Sequence, residues 1–132
     1  MTQRVTSSTP IDTHRELGSG TGLVGLCVAS PHAGFDFAEV VITDQADHLP
    51  LIRRNVRANG LLPLTDEIDD NSPNPSPACT QPPTPKRRLR VQEFDWVSGA
   101  GVGSLGPRPF DVVLGTDVAY CPELYAPVVK VR

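Results

Sequence analysis

The sequence predicts an α/β fold, in which a parallel sheet is flanked by helices. Three observations carry this prediction. A glycine-rich turn at 18–25 opens an apolar, helix-like run; the β-branched run 39–43 leads into Asp44; and a second apolar run, 110–115, has the composition of a buried strand. Buried strands that alternate with helical patterns are typical of a parallel sheet with helical crossovers.

The glycine-rich turn is the central motif of the chain, and residues 16–25 read ELGSGTGLVG. Alternating glycines remove side chains where a chain turns sharply and where a ligand approaches the backbone. Free N–H groups at the start of the following helix, predicted over about 21–29, suit a nucleotide-type ligand. This motif alone does not select a cofactor, because several cofactor classes use it.

Glu16 narrows the choice of ligand. It stands two residues before the first glycine, at the end of the predicted first strand. An anionic pyrophosphate gains nothing from a carboxylate at this position, whereas S-adenosylmethionine (SAM) carries an α-ammonium group and a sulfonium. The strand itself is predicted to be very short or degraded, because residues 12–15 before Glu16 are all polar.

Asp44 ends the strand predicted over 39–44. An acidic residue at this position can accept hydrogen bonds from both ribose hydroxyls of an adenosine. NAD enzymes and SAM enzymes share this feature, and capping of the next helix is the structural alternative. That helix is predicted over 47–59.

Residues 63–88 are rich in proline and polar residues. Such a composition buries too little apolar surface to order itself, so we predict a disordered insertion within a single domain, 1–132. Strand character returns over 89–95. The later Gly-x-Gly-x-x-Gly match at 101–106 is rejected as a ligand site, because the prolines that follow prevent a helix from starting there.

Trp96 and the loop after the last predicted strand complete the candidate site. Trp96 could cover an adenine, with plain core packing as the alternative. Asp117 and Tyr120 follow strand 110–115, at the sheet edge where open α/β sheets bind ligands. A further helix is predicted over 123–131.

Composition limits the classes of partner. A net charge of −3 without a basic patch predicts no nucleic-acid binding, and no apolar stretch approaches the ~20 residues of a membrane span. Three scattered histidines and three distant cysteines predict no metal site and no disulfide framework. The cysteines fit a reducing, cytoplasmic location, and Lys86-Arg87-Arg88 leaves a nuclear one open.

Together these motifs resemble the Rossmann-like, seven-stranded SAM-dependent methyltransferases, and most closely the methyltransferase-like group of protein-lysine methyltransferases. The matching runs, in order along the chain, are ELGSGTGLVG at 16–25, VITD at 41–44, NVRAN at 55–59, FDW at 94–96 and DVVLGTDVAY at 111–120. The last run carries the Asp-x-x-Tyr typical of that group, as Asp117 and Tyr120.

The resemblance implies which residues hold the cofactor and where transfer occurs. It implies transfer of a methyl group from SAM to a lysine of a non-histone protein, with Asp117 and Tyr120 at the methyl-transfer end. The absence of a Pro-Pro-Tyr motif favours a protein over a nucleobase substrate. The SAM contacts that it implies are Glu16, Gly18, Ser19, Gly20, Asp44 and Trp96.

The chain departs from the family at both ends. Family members have elements before the glycine loop and about three more strands after the fourth, so we expect a fragment of a methyltransferase sheet with poor activity as it stands. Two alternatives stay open. One is a non-catalytic remnant that only binds SAM, and the other is a NAD-type oxidoreductase, against which Glu16 and the Asp-x-x-Tyr loop argue.

Overall fold

The computed structural model describes residues 12–61, 88–106 and 108–131. Four strands form one parallel sheet: β1 (Thr13–Leu17), β2 (Glu39–Asp44), β3 (Arg88–Glu93) and β4 (Val112–Gly115). Their order across the sheet is β3-β2-β1-β4. The prediction of an α/β fold with a parallel sheet is therefore confirmed, and the strand order reverses between β1 and β4, as in doubly wound folds.

Three helices accompany the strands, and each is shorter than predicted. They are α1 (Leu23–Ala29), α2 (Leu49–Ala58) and α3 (Tyr125–Val129). A 3-10 turn precedes α2 at Ala46–His48 and another precedes α3 at Pro122–Leu124, so residues predicted as the first helical turn form these tighter turns instead. A third 3-10 turn, Val102–Leu105, occupies the loop in which a second ligand motif was rejected.

The first strand corrects a prediction. It was expected to be very short or degraded, yet β1 has five residues and pairs with β2 on one side and β4 on the other. His14, Arg15 and Glu16 are each at most 1% exposed. Position in the centre of the sheet buries this strand although its side chains are polar.

The main apolar core lies between the sheet and the helices α1 and α2. Ile42, Ile52 and Val56 are fully buried there. On α2 the apolar residues recur at helical spacing and face the sheet, which is the ordinary way in which an amphipathic helix is stabilised. This half of the molecule fixes the end of β2 and the turn after β1.

A smaller core lies on the other face of the sheet. It consists of Leu17, Val41, Phe94 and Leu105, with partly buried neighbours that include Trp96 and Val118. Val41 belongs to this core whereas Val40 and Ile42 belong to the main one, as alternation along a strand requires. The strand β4 is an exposed edge, with Val113 and Leu114 each 39% exposed.

The insertion predicted over 63–88 overlaps the described residues only at its last position. Strand β3 begins at Arg88, so the last residue of the predicted 63–88 insertion belongs to the sheet. The remainder of that predicted insertion lies outside the described residues.

No helix within the described residues is long and apolar enough to cross a membrane.

Candidate functional site

The glycine turn lies at the carboxyl end of β1, beside the point where the strand order reverses. Gly18 and Gly20 both have a φ of 56°, in the left-handed region that favours glycine. Nothing lies within 4 Å of the position that a Cβ on Gly20 would occupy. The backbone at Gly20 is thus open to a ligand.

Asp44 ties the glycine turn to the end of β2. Its Oδ2 accepts a hydrogen bond of 2.6 Å from the N–H of Gly20, and its Oδ1 accepts one of 2.7 Å from the N–H of Gln45. His48 Nδ1 lies 3.3 Å from the same Oδ1. The structure therefore brings two predicted cofactor residues, Asp44 and Gly20, into direct contact.

Ser19 precedes Gly20 in the turn and is also bonded to the end of β2. Its N–H donates to the carbonyl of Thr43 at 3.1 Å, which continues the pairing of β1 and β2 past the end of β1. Its hydroxyl is buried and has no hydrogen-bond partner among the described residues. A buried hydroxyl without a partner is uncommon, and a bound ligand is one way in which it is satisfied.

Glu16 lies under the turn rather than at its open surface. Only 1% of it is exposed, and its Oε2 accepts a hydrogen bond of 2.8 Å from the N–H of Gly25 in α1. Burial raises the pKa of Glu16 to about 7, with a smaller contribution from the charge of Asp44, although the N–H groups of Gly25 and Val24 act in the opposite direction. The predicted direct contact with an ammonium group stays a prediction.

Gly25 has a role that the sequence reasoning missed. A Cβ at this position would lie 2.5 Å from Cγ1 of Ile42 and 2.6 Å from Oε2 of Glu16. Only a glycine lets α1 approach the sheet closely enough for the Gly25 N–H to reach Glu16. The signal was present in the sequence as the fourth glycine of the motif, seven residues after the first.

Trp96 covers the other side of the turn. Its Cη2 lies 2.8 Å from the position of a Cβ on Gly18, and its indole Nε1 is buried with no partner among the described residues. The side chain also belongs to the smaller core. Both roles weighed for Trp96, packing and contact with a ligand, are compatible with this placement.

The loop after β4 meets the glycine turn through Val118. Its Cγ1 lies 3.1 Å from the Cβ position of Gly18, and its Cγ2 lies 2.9 Å from that of Gly115. Asp117 and Tyr120 lie in this loop, and Tyr120 is 79% exposed. The loop is adjacent to the turn, but the structure shows no contact between these two side chains and the predicted cofactor residues.

Asp117 is the one non-glycine residue with a positive φ, 57°, in the part of the chain that the structure describes. Such a conformation is uncommon outside glycine and is often found at functional sites. The strain fits a loop that presents side chains at the crevice between β1 and β4.

Comparisons with known proteins point to methyltransferases. The sequence profile of the lysine methyltransferase family matches residues 7–71. The chain is 30% identical to the mouse protein N-lysine methyltransferase METTL21A over 115 aligned residues. This alignment covers 87% of the chain and 40% of the relative. No solved structure matches the chain.

Two further relatives carry similar names. The bovine protein-lysine N-methyltransferase EEF2KMT is 33% identical over 120 residues, covering 88% of this chain and 32% of the relative. The human putative protein N-methyltransferase FAM86B2 is 34% identical over 120 residues, and this alignment covers 88% of the chain and 30% of the relative. The chain thus spans 40% or less of the length of these relatives.

The parallel sheet with its glycine turn after β1 and the comparisons are together consistent with the class of Rossmann-like methyltransferase folds. More particularly, the chain resembles the lysine methyltransferase family, as the motifs predicted. The family uses SAM in general.

Proposed function

We propose that this chain binds SAM in the crevice formed by the glycine turn, the end of β2 and Trp96, and serves protein-lysine N-methylation. The observation that carries the proposal is the bond between Gly20 and Asp44. It joins the open backbone of the turn to Asp44, the carboxylate expected to bind the ribose. The substrate is proposed to be a non-histone protein that offers a lysine side chain.

The residues present fit an adenosine and a methionine group. The backbone at Gly20 is open, and two buried polar atoms, Ser19 Oγ and Trp96 Nε1, have no partner among the described residues. A carboxylate accepts several hydrogen bonds, so Asp44 can bind ribose hydroxyls while it keeps its bonds to backbone N–H groups. Bound SAM supplies a methyl group that is activated by its positively charged sulfur.

Methyl transfer needs a neutral amine that is aligned with the methyl group. Lysine is normally protonated near pH 7, so a site has to desolvate the amine or provide an exit for its proton. Alignment is the main contribution expected from the protein. In this proposal Asp117 and Tyr120 lie at the transfer end, where the Tyr120 hydroxyl orients the amine and Asp117 holds either the lysine or the methionine portion.

The decisive test of the cofactor is calorimetric titration of SAM into Asp44→Ala. Loss of a charge-assisted ribose contact should cost on the order of 1–3 kcal/mol, which raises Kd by about five- to 150-fold. Asp47→Ala is the matched control, because Asp47 is a neighbouring carboxylate whose side chain is 76% exposed. Equal SAM affinity in all three proteins would place the ribose elsewhere, and tighter binding of NAD than of SAM would favour an oxidoreductase.

Methyl transfer is tested separately, with radiolabelled SAM and a whole-cell protein extract. Labelling of a protein that is lost in Asp117→Ala would support the transferase. SAM binding without any labelling would instead identify a remnant that retains only the cofactor half of the function.

A further inference from the structure

A cavity lies over the smaller core of the sheet, and Trp96 borders both this cavity and the glycine turn. It has a volume of about 320 Å³. Neither Glu16, Asp44 nor the glycines of the turn line it. Its walls are largely apolar, and they include Phe94, Trp96, Val102, Leu105 and Phe110.

The described lining of the cavity carries positive charge. Arg15, Arg108 and Lys130 all contribute to it, and no Asp or Glu among the described residues does. Arg108 and Lys130 are exposed at the surface, whereas Arg15 is 1% exposed. A low-dielectric wall around one buried cation strengthens its attraction for an anion.

Arg15 is the unusual member of this group. Its guanidinium lies 4.4 Å from the centre of the Phe94 ring and 5.0 Å from that of the Phe110 ring. Cation–π contacts of this kind stabilise a guanidinium partly, but they leave its N–H groups without acceptors. Burial accordingly lowers the pKa of Arg15.

Two donors of Arg15 have no hydrogen-bond partner among the described residues, namely Nε and Nη2. These two nitrogens form one edge of the guanidinium, the edge whose parallel N–H groups match the two oxygens of a carboxylate. A buried, unpaired charged donor is costly, so a site of this kind is completed by an anion. Arg15 also lines the cavity, so an acceptor bound there lies beside this guanidinium.

We propose that this cavity binds a small organic carboxylate with an apolar or aromatic body, and that Arg15 pairs with its carboxylate group. The two aligned donors select a planar anion with two oxygens. The aromatic and aliphatic walls accept the body of the ligand, and a volume of this size is sufficient for a small molecule. Arg108 and Lys130 attract the anion from solution.

The test uses the only tryptophan of the chain, Trp96, as a reporter, because it lines the cavity. Phenylacetate is titrated into the 132-residue protein without SAM, and the Trp96 emission is recorded. A saturable change is expected with phenylacetate, and little or none with its neutral analogue phenylacetamide or with inorganic phosphate. Equal responses to phenylacetate and phenylacetamide, or no saturable response to phenylacetate, would overturn the proposal.

Variants assign the binding to Arg15. Arg15→Met should abolish the phenylacetate response, whereas Arg54→Met, which removes an exposed arginine of α2, should retain it. Arg15→Lys keeps the charge but loses the paired donors, so its Kd should rise by about tenfold or more. Circular dichroism verifies that each variant is folded. If Arg15→Met does not fold, the Kd of Arg15→Lys alone tests whether Arg15 binds the carboxylate. A wild-type Kd in that folded Arg15→Lys variant would refute the role of Arg15.

Discussion

The two halves of the sheet differ in how firmly they are held. The strands β1, β2 and β3 lie against α1 and α2, and the residues between them, such as Ile42 and Ile52, are fully buried. Among the described strands β4 pairs only with β1, and its side chains Val113 and Leu114 are each more than one-third exposed. The predicted cofactor residues belong to the first half, and the predicted transfer residues belong to the second.

This contrast indicates that the two parts of the candidate site depend on different forces. The glycine turn is fixed by a buried core and by hydrogen bonds from Gly20 and Gly25 to carboxylates. The loop that carries Asp117 and Tyr120 is connected to that turn through apolar contacts of Val118. Changes in the first half should therefore affect stability, whereas changes in the second should affect the loop with little loss of stability.

The largest difference between the halves is expected for removal of a buried side chain. Ile52→Ala should lower the free energy of unfolding by about 2–5 kcal/mol, because it leaves a cavity in a fully buried site. Val113→Ala in β4 should cost less than about 1 kcal/mol. Urea unfolding followed by Trp96 fluorescence measures both, and equal costs would remove the distinction between the halves.

Gly25→Ala probes the close approach of α1 to the sheet. The added methyl group would overlap Ile42 and Glu16, so we expect a loss of about 1–3 kcal/mol in the free energy of unfolding. Gly103→Ala serves as the control, since nothing lies within 4 Å of its Cβ position. A Gly25→Ala protein as stable as the wild type would show that α1 can move away from Glu16 without cost.

Glu16→Gln tests the buried carboxyl group. A pKa raised to about 7 in the folded chain means that Glu16 contributes stability fully below its ordinary pKa near 4.5 and loses it as the pH rises through 7. The variant should match the wild type at pH 5 and be more stable by about 1–2 kcal/mol at pH 8. Thermal unfolding across this range measures the difference.

The exposed carboxyl of Glu123 offers the matched control for that experiment. Glu123→Gln should show no comparable divergence from the wild type between pH 5 and pH 8. A Glu16→Gln protein whose stability runs parallel to the wild type over the whole range would mean that Glu16 ionises as an exposed carboxyl does.

A small effect on stability is expected in the loop after β4. Val118→Ala removes partly buried methyl groups and should cost about 0.5–1.5 kcal/mol. Because Val118 and Trp96 both cover Gly18, the Trp96 emission should shift to the red as water reaches the indole. Val129→Ala, at a 79% exposed position, is the control and should leave the emission unchanged. An unshifted spectrum in Val118→Ala would show that Val118 in the loop does not shield Trp96 from water.

Much of the fold could be predicted because hydrophobic pattern and turn chemistry agree along most of the chain. The limits of β2 match the predicted 39–44, since its apolar, β-branched run ends sharply at an acidic residue. The error at β1 has a physical cause: burial there follows from strands on both sides, and the polar side chains pack against aromatic rings or accept a backbone hydrogen bond. Phe37 packs beside His14, two phenylalanine rings flank Arg15, and Gly25 donates to Glu16.

The geometry of the candidate site could be predicted only in part. The motif indicated that Asp44 and the glycine turn belong together, and the structure places them in hydrogen-bonding contact. It could not indicate that Glu16 points toward α1, because this depends on the absence of a side chain at Gly25. The cavity beside Arg15 had no signal of its own, since a lone arginine in a strand is usually exposed.

The hydrogen bonds between the starts of β1 and β4 have a consequence for the order of folding. Asp111 Oδ2 accepts a hydrogen bond of 2.9 Å from the N–H of Thr13, which lies 98 positions earlier in the chain. Pairing of β1 with β2, by contrast, joins Thr13 to Glu39 across a much shorter loop. Closing a longer loop costs more chain entropy and slows folding. The half of the sheet that carries the glycine turn and Asp44 should thus assemble first, and β4 should join last and exchange its amide hydrogens earliest.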